Sequence, residues 1–213
     1  MKTLLIVDVQ NDFIPGGSLE IANGDIIIPI INRLQEKFDL VVATQDWHPQ
    51  DHLSFASNHT GKKPFEKAII QEREETLWPD HCVQGTLGAA FPPDLQTNKI
   101  AAIFRKGMDP QIDSYSGFYD NHHQISTGLS GYLREKGVTK VYFCGLAADI
   151  CVYFTVVDAI NEGFSAVLIE DASQPLSAID FDDVREDLMG LGVHIAYSDE
   201  ILSMQWDDTN KGE

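Results

Sequence analysis

Short apolar segments rich in β-branched residues alternate along this chain with segments whose apolar residues recur at helical spacing. Several of the strand-like segments are almost continuously hydrophobic, which is typical of parallel strands covered on both faces. The alternation predicts one three-layer α/β/α domain over residues 1–213, with a mainly parallel six-stranded sheet. The predicted strands are residues 3–9, 39–44, 100–104, 140–144, 165–170 and 193–197, and the predicted helices are residues 25–38, 127–136, 151–162 and 181–191.

One long interval, residues 45–99, interrupts this alternation. It contains five of the nine prolines, four of the seven histidines and two of the three tryptophans. A compact domain rarely keeps so much irregular chain unless that chain forms a site or a lid. We therefore expect this interval to bind a metal and to cover an active site.

The composition is typical of a globular domain, with 43% hydrophobic and 23% charged residues among 213. No apolar run approaches the roughly 20 residues of a membrane span, and the first eight residues, which end in Asp8, predict a strand rather than a signal peptide. Three cysteines without a CxxC pair argue against a disulfide framework. These features predict a protein of the reducing cytoplasm.

The net charge of −18 at pH 7 argues against a nucleic-acid partner, because phosphates require a basic surface. Ten of the acidic residues lie in residues 180–213, where only Arg185 and Lys211 oppose them. This acidic C-terminal region is expected to solvate the surface. The expected partner is therefore a small molecule or another copy of this chain in a homo-oligomer, and neither nucleic acid nor membrane.

Cys151 lies at a predicted strand-to-helix turn, where a fold can activate a thiol. It follows the strand at 140–144 and begins a helix that Gly163 ends. The helix dipole and the free N–H groups of a first helical turn favour an anion, which predicts a lowered pKa for this thiol. The same N–H groups can receive a developing oxyanion. Cys151 is a candidate nucleophile, and the alternative is a small core residue.

Two charged residues, Asp8 and Lys106, also lie at or just after the ends of predicted strands. Ligands of open α/β sheets bind beyond the carboxyl ends of the strands. If the sheet brings both residues beside Cys151, the carboxylate can accept the thiol proton and the ammonium group can stabilise the thiolate. Taken singly, Asp8 can be an acid that caps the following loop, and Lys106 can be a solvated lysine.

Asp46 and His48 form a candidate metal site after the second predicted strand. Residues two apart on an extended segment project to the same side. One carboxylate and two imidazoles with open positions suit a catalytic Zn²⁺, Fe²⁺ or Mn²⁺ ion. The alternative is a polar loop with satisfied histidines. The candidates for the third ligand are His52, His59 and His81.

Six ordered motifs resemble those of the nicotinamidases, which belong to the isochorismatase-like cysteine hydrolases. They are DVQNDF at 8–13, TQDWHP at 44–49, WPDHCVQG at 78–85, KG at 106–107, DSYSGF at 113–118 and GLAADICV at 145–152. The resemblance extends from residue 4 to about residue 197 and implies the isochorismatase-like hydrolase fold.

This resemblance implies two groups of site residues. The implied catalytic triad is Asp8, Lys106 and Cys151. The implied ligands of one divalent metal ion, with Zn²⁺ expected before Fe²⁺ or Mn²⁺, are Asp46, His48 and His81. Some relatives add a further ligand, for which His52 is a candidate.

The resemblance also implies how the substrate is held. A cis peptide bond between Leu146 and Ala147 is expected to aim the N–H of Ala147, together with that of Cys151, into an oxyanion hole. The residues expected to bind the aromatic substrate ring are Phe13, Trp78 and Tyr115.

The implied reaction hydrolyses nicotinamide to nicotinate and ammonia, a salvage step in NAD metabolism, and pyrazinamide is an expected second substrate. Asp8 takes the proton of Cys151, the sulfur attacks the amide carbon, and water then cleaves the thioester. One alternative is a related amidase acting on another small amide or carbamoyl compound. The other is a non-catalytic metal-binding protein, which would have no use for Cys151 at this turn. The isochorismatase branch itself is disfavoured because its members lack the nucleophilic cysteine.

Overall fold

A computed structural model describes residues 1–205 of the chain and shows eight strands. They are β1 Thr3–Val7, β2 Leu40–Asp46, β3 Lys67–Ile70, β4 Arg73–Thr76, β5 Ile100–Lys106, β6 Lys140–Leu146, β7 Ser165–Gln174 and β8 His194–Ala196. Six of them form a parallel sheet in the order β5-β2-β1-β6-β7-β8, and β3 pairs with β4 in a separate antiparallel hairpin.

Five α-helices connect or follow these strands. They are α1 Ile28–Gln35, α2 Leu129–Glu135, α3 Tyr153–Asn161, α4 Ala178–Gly190 and α5 Ser198–Ser203. A π-helical turn, Ala148–Val152, lies between β6 and α3. Gly163 follows α3 at φ +86°, a conformation that glycine adopts without a steric penalty, so the chain can turn back into β7.

Two apolar clusters cover the two faces of the parallel sheet, as the alternation of side chains along β1 shows. Leu4 and Ile6 belong to one cluster, and Leu5 and Val7 belong to the other. The first cluster includes residues of α1 and α5, and the second includes residues of α2, α3 and α4. The predicted three-layer α/β/α architecture with six parallel strands is therefore confirmed.

The structure differs from the sequence-based prediction in three places. The hairpin β3–β4 lies inside the interval 45–99 that was expected to be irregular, and its mostly exposed residues leave no buried periodicity to indicate it. The six-residue helix α5 was not predicted. Several strand ends also differ. Strands β2, β5 and β6 continue two residues further than predicted and β7 four residues further, whereas β1 ends two residues earlier. Asp46 and Lys106 are therefore themselves the last residues of β2 and β5.

Two further predictions concern the acidic C-terminal region and membrane-spanning helices. Residues 206–213 of the acidic C-terminal region lie outside the described residues. Within residues 1–205, no helix has both the length and the apolar character needed to cross a membrane.

Candidate active site

Four adjacent strands carry charged or nucleophilic residues at their carboxyl ends. Lys106 ends β5, Asp46 ends β2, Asp8 directly follows β1, and Cys151 lies in the π-helical turn after β6. The register of β2 and β5 pairs Asp46 with Lys106. All four residues are buried. The sheet thus brings together the residues that sequence analysis predicted to share one site.

The ammonium group of Lys106 is the centre of this cluster. Its Nζ atom lies 3.0 Å from Oδ2 of Asp8 and 3.0 Å from Oδ1 of Asp46. It donates hydrogen bonds to the Ser114 carbonyl at 2.7 Å and to Sγ of Cys151 at 3.5 Å. Burial opposes the charge, but the two carboxylates outweigh it and raise the pKa of Lys106 well above its ordinary value. Lys106 is therefore held as a cation beside the thiol.

The two carboxylate oxygens of Asp8 have different surroundings. Oδ1 accepts a hydrogen bond from the Thr44 hydroxyl at 2.6 Å. Oδ2 is buried and lies near Lys106, but it accepts no hydrogen bond from the described residues. Burial raises the pKa of Asp8, and the Lys106 ammonium group offsets this only in part. A buried carboxylate with a raised pKa, whose Oδ2 is paired only with the Lys106 ammonium group at 3.0 Å among the described residues, is suited to accepting a proton.

Cys151 is a protonated thiol in this arrangement. Burial raises the pKa of Cys151 well above its ordinary value, more than the nearby Lys106 ammonium group lowers it. The predicted lowering of this pKa is therefore wrong, because the thiol is buried and three carboxylates (Asp8, Asp46 and Asp113) also act against the thiolate. Attack by the sulfur thus requires a base that removes the proton.

The turn that carries Cys151 begins with an unusual peptide bond. The bond between Leu146 and Ala147 is cis, as the resemblance implied. The carbonyl of Ala147 accepts hydrogen bonds from the N–H groups of Ile150 and Val152 at 3.1 and 3.0 Å. Ala147 and Cys151 both line the pocket described below. Their assignment to an oxyanion hole remains a prediction.

Asp46, His48 and His81 form a buried group whose ligand atoms lie within 4.8 Å of one another. Oδ2 of Asp46 lies 2.9 Å from Nε2 of His48 and 3.3 Å from Nε2 of His81. The Nδ1 atoms of the two rings lie 2.9 Å from the Gly107 carbonyl and 2.8 Å from the Pro79 carbonyl. An Nδ1–H that donates to a carbonyl leaves the lone pair on Nε2, as in metal-bound imidazoles.

The charges of this group also suit a divalent cation. Burial opposes ionisation of Asp46, but protonated His48 and Lys106 outweigh it and hold the pKa of Asp46 well below its ordinary value. A bound metal ion would replace the His48 proton. Gly107 allows the close packing of His48, because a Cβ at this position would lie 2.4 Å from the imidazole ring. Two imidazole nitrogens and one ionised carboxylate that converge in a buried site fit a Zn²⁺, Fe²⁺ or Mn²⁺ ion.

The spacing of residues left three histidines open as the third ligand, and His81, which the resemblance implied, is the one that joins this group. His59 instead contacts the carbonyl of Leu53 at 2.7 Å. His52 lies in a second group with His48 and Asp113, and its buried Nε2 has no hydrogen-bond partner among the described residues. Burial lowers the pKa of His52 to about 4, so this ring is neutral near pH 7.

A pocket lies against the catalytic cluster and is partly open to solvent, with a total space of about 400 Å³ that includes this open part. All three aromatic residues predicted to hold a substrate line it, namely Phe13, Trp78 and Tyr115. The indole N–H of Trp78 donates to the Tyr115 hydroxyl at 3.3 Å, which fixes these two rings relative to each other. The ring centroid of Phe13 lies 5.6 Å from that of His81. The pocket therefore places the aromatic residues next to both the catalytic cluster and the candidate metal group.

Sequence reasoning missed four apolar residues of the pocket wall, which are Leu19, Ile21, Ile150 and Leu176. Ile150 precedes Cys151 inside a motif, so adjacency to the nucleophile could have indicated it. Leu176 follows β7 and has no local signal, because only the packing of that loop onto the site brings it there.

The family model described as the isochorismatase domain matches residues 2–191. The chain belongs to the isochorismatase family. A nicotinamidase of Acinetobacter baylyi is 49% identical over 173 residues, which cover 81% of this chain and 81% of that relative. These findings confirm the family that the six motifs indicated.

Solved structures of this family agree with the fold and share much of the sequence. An Acinetobacter baumannii nicotinamidase and pyrazinamidase is 45% identical, with a TM-score of 0.91 over 94% of this chain and 97% of the other. A pyrazinamidase of Pyrococcus horikoshii in complex with zinc is 36% identical, with a TM-score of 0.77 over 92% and 98% of the two chains.

Proposed function

We propose that this chain is a metal-dependent cysteine amidohydrolase that converts nicotinamide and water to nicotinate and ammonia, with pyrazinamide as a second substrate. The observation that carries this proposal is the position of Cys151 beside the Asp8–Lys106 pair, at a pocket with aromatic walls. Nicotinamidase relatives at up to 49% identity support the same reaction. In metabolism this reaction is a salvage step for NAD.

The first half of the reaction transfers the acyl group to sulfur. Asp8 takes the proton of Cys151 as the sulfur attacks the amide carbon, and the carbon–oxygen double bond becomes an oxyanion. When the double bond re-forms, the carbon–nitrogen bond breaks and the Asp8 proton passes to the departing nitrogen, which leaves as ammonia. Lys106 keeps a positive charge beside the sulfur throughout.

The second half releases the acid. Asp8, again a carboxylate, accepts a proton from the attacking water, whose oxygen bonds to the thioester carbon. The carbon–sulfur bond then breaks, the proton on Asp8 returns to the sulfur of Cys151, and the nicotinic acid that forms loses its own proton to solvent and becomes nicotinate. In both halves we assign the stabilisation of the oxyanion to the N–H groups of Ala147 and Cys151, which flank the cis peptide turn.

We assign the metal to Asp46, His48 and His81, because their ligand atoms converge. The Nδ1 atoms of the two histidines are already paired with backbone carbonyls, which leaves their Nε2 atoms for the metal. A bound divalent ion would supply a positive centre that can hold a ring nitrogen or lower the pKa of water. The donor set favours Zn²⁺, and the zinc complex of the Pyrococcus horikoshii pyrazinamidase supports that choice. The interval 45–99 supplies His48, Trp78 and His81, and we propose that it also covers the pocket.

Ammonia release from a panel of amides tests this function. The panel contains nicotinamide, pyrazinamide, a small carbamoyl compound and an aliphatic amide, each assayed with the purified chain and with Cys151→Ala. We expect the highest kcat/KM for nicotinamide and none above background for the variant. Turnover of the carbamoyl or aliphatic amide alone would assign the chain to a different amidase. The absence of ammonia from every amide, with the metal bound, would overturn the proposal.

A further inference from the structure

Asp149 belongs to the turn that presents the nucleophile, and its carboxylate binds a loop from a different part of the chain. It lies two residues before Cys151 in the π-helical turn and is half-buried. Its Oδ1 accepts a hydrogen bond from the N–H of Leu176 at 2.8 Å, and its Oδ2 accepts one from the N–H of Ser177 at 2.8 Å. Both carboxylate oxygens are thus used to hold one loop.

The loop held by Asp149 connects β7 to α4. Ser177 is the N-cap residue of α4, and its hydroxyl accepts a hydrogen bond from the N–H of Asp180 at 3.4 Å. Leu176 precedes this cap and lines the substrate pocket together with Ile150 and Cys151. The nucleophile turn therefore fixes a wall of the pocket that comes from a different part of the chain.

We infer that Leu176 determines which ring sizes the pocket accepts, and that Asp149 is a positioning residue that holds Leu176 in place. This inference rests on the proposed hydrolysis of an aromatic amide. Leu176 is half-buried in a largely apolar wall beside Cys151, so a ring substituent that points towards it must displace its side chain. One methylene group in an apolar pocket changes selectivity by roughly 10- to 200-fold.

The first experiment compares Leu176→Ala with the wild-type chain on nicotinamides that carry a methyl or ethyl group at each free ring position. We expect kcat/KM for at least one substituted nicotinamide, relative to nicotinamide itself, to rise about tenfold or more. Leu202→Ala is the matched control, because Leu202 is also a half-buried leucine packed against the same apolar cluster but does not line the pocket. Its relative kcat/KM should stay within about twofold of the wild type.

The second experiment tests Asp149, and its control is another aspartate whose carboxylate accepts hydrogen bonds at the start of a helix. Asp171 is also half-buried, and its carboxylate accepts hydrogen bonds from the N–H and the hydroxyl of Ser198 at the start of α5, away from the pocket. Both Asp149→Ala and Asp171→Ala should lower the melting temperature. Only Asp149→Ala should shift substrate preference towards the substituted nicotinamides, and Asp149→Asn, which keeps one acceptor oxygen, should shift it less.

The outcomes separate this inference from the proposed function. A wild type that hydrolyses nicotinamide, with unchanged preference at every ring position in Leu176→Ala, would overturn the role of Leu176. A lower melting temperature without a change of preference in Asp149→Ala would make Asp149 a purely structural residue. If the wild type releases no ammonia from nicotinamide, the proposed function fails. The role of Leu176 is then tested by comparing the binding constants of nicotinate and of its ring-substituted forms between the wild type and Leu176→Ala.

Discussion

Oδ1 of Asp46 lies 3.0 Å from Nζ of Lys106, while Oδ2 of the same carboxylate lies 2.9 Å from Nε2 of His48. One buried side chain therefore belongs to both the catalytic cluster and the candidate metal group. A change at Asp46 should act on both groups together, whereas a change at His48 should act on the metal group alone.

Replacement of the nucleophile should abolish turnover. Cys151→Ala removes the only sulfur that contacts Lys106 among the described residues, so we expect the hydrolysis of nicotinamide to fall by roughly a thousandfold or more. Cys144→Ala is the control, because Cys144 is equally buried but lies within β6, and this variant should affect mainly the melting temperature. Iodoacetamide should modify Cys151 fastest, and nicotinamide should slow that modification. Wild-type activity in Cys151→Ala would rule out the mechanism.

Loss of a metal ligand should empty the metal site. We expect elemental analysis to find a single divalent ion per wild-type chain and little in Asp46→Ala, which loses the carboxylate that both histidines face. His59→Ala should keep its metal, since His59 lies outside the group. Chelation should abolish activity, and re-addition of Zn²⁺, Fe²⁺ or Mn²⁺ should restore it. Undiminished metal in Asp46→Ala would exclude Asp46 as a ligand.

The acidic limb of the pH profile should report the state of Asp8. The base must be ionised, so kcat/KM should fall as the pH drops through the pKa of Asp8, which burial raises above 3.8. The Thr44 hydroxyl lowers this pKa through its hydrogen bond to Oδ1, so Thr44→Val should move the acidic limb to higher pH.

A second buried threonine provides the control for this pH profile. The Thr3 hydroxyl in β1 has no hydrogen-bond partner among the described residues, so Thr3→Val should leave the acidic limb in place. An unchanged limb in Thr44→Val would remove Asp8 as the titrating base.

Loss of an aromatic wall should weaken recognition of a flat substrate. Trp78→Ala removes an indole that lines the pocket and holds the Tyr115 hydroxyl, so kcat/KM for nicotinamide should fall tenfold or more, on the order of 1.4 kcal/mol. An aliphatic amide should be affected far less. Trp47→Ala is the control, because Trp47 stacks on Arg105 outside the pocket. Equal losses for both amides, with a lower melting temperature, would show that Trp78 is a core residue.

Much of the fold could be predicted because strands and helices leave periodic signals in the chain. All six strands of the parallel sheet were predicted. The four inner strands β1, β2, β6 and β7 are buried over most of their length and are therefore largely apolar, whereas the edge strands β5 and β8 are partly exposed and were indicated by their apolar residues alone. The hairpin β3–β4 buries little, so its residues carry no such signal. The pKa of Cys151 was predicted in the wrong direction, because a helix N-terminus can be recognised in a sequence but the burial of its side chain cannot.

The sequence by itself determined the order of the six sheet strands and the four longer helices, and it determined the family. It also determined where the residues that carry chemistry stand, because each of these residues follows a strand or lies in a local motif. Only the tertiary structure decided which of these residues meet. The parallel order β5-β2-β1-β6 places four distant residues at one edge of the sheet, and folding of the 45–99 interval selects His81 rather than His59. The hydrogen bond from the N–H of Leu176, which lines the pocket, to Asp149 joins residues 27 apart, and no local pattern encodes such a contact.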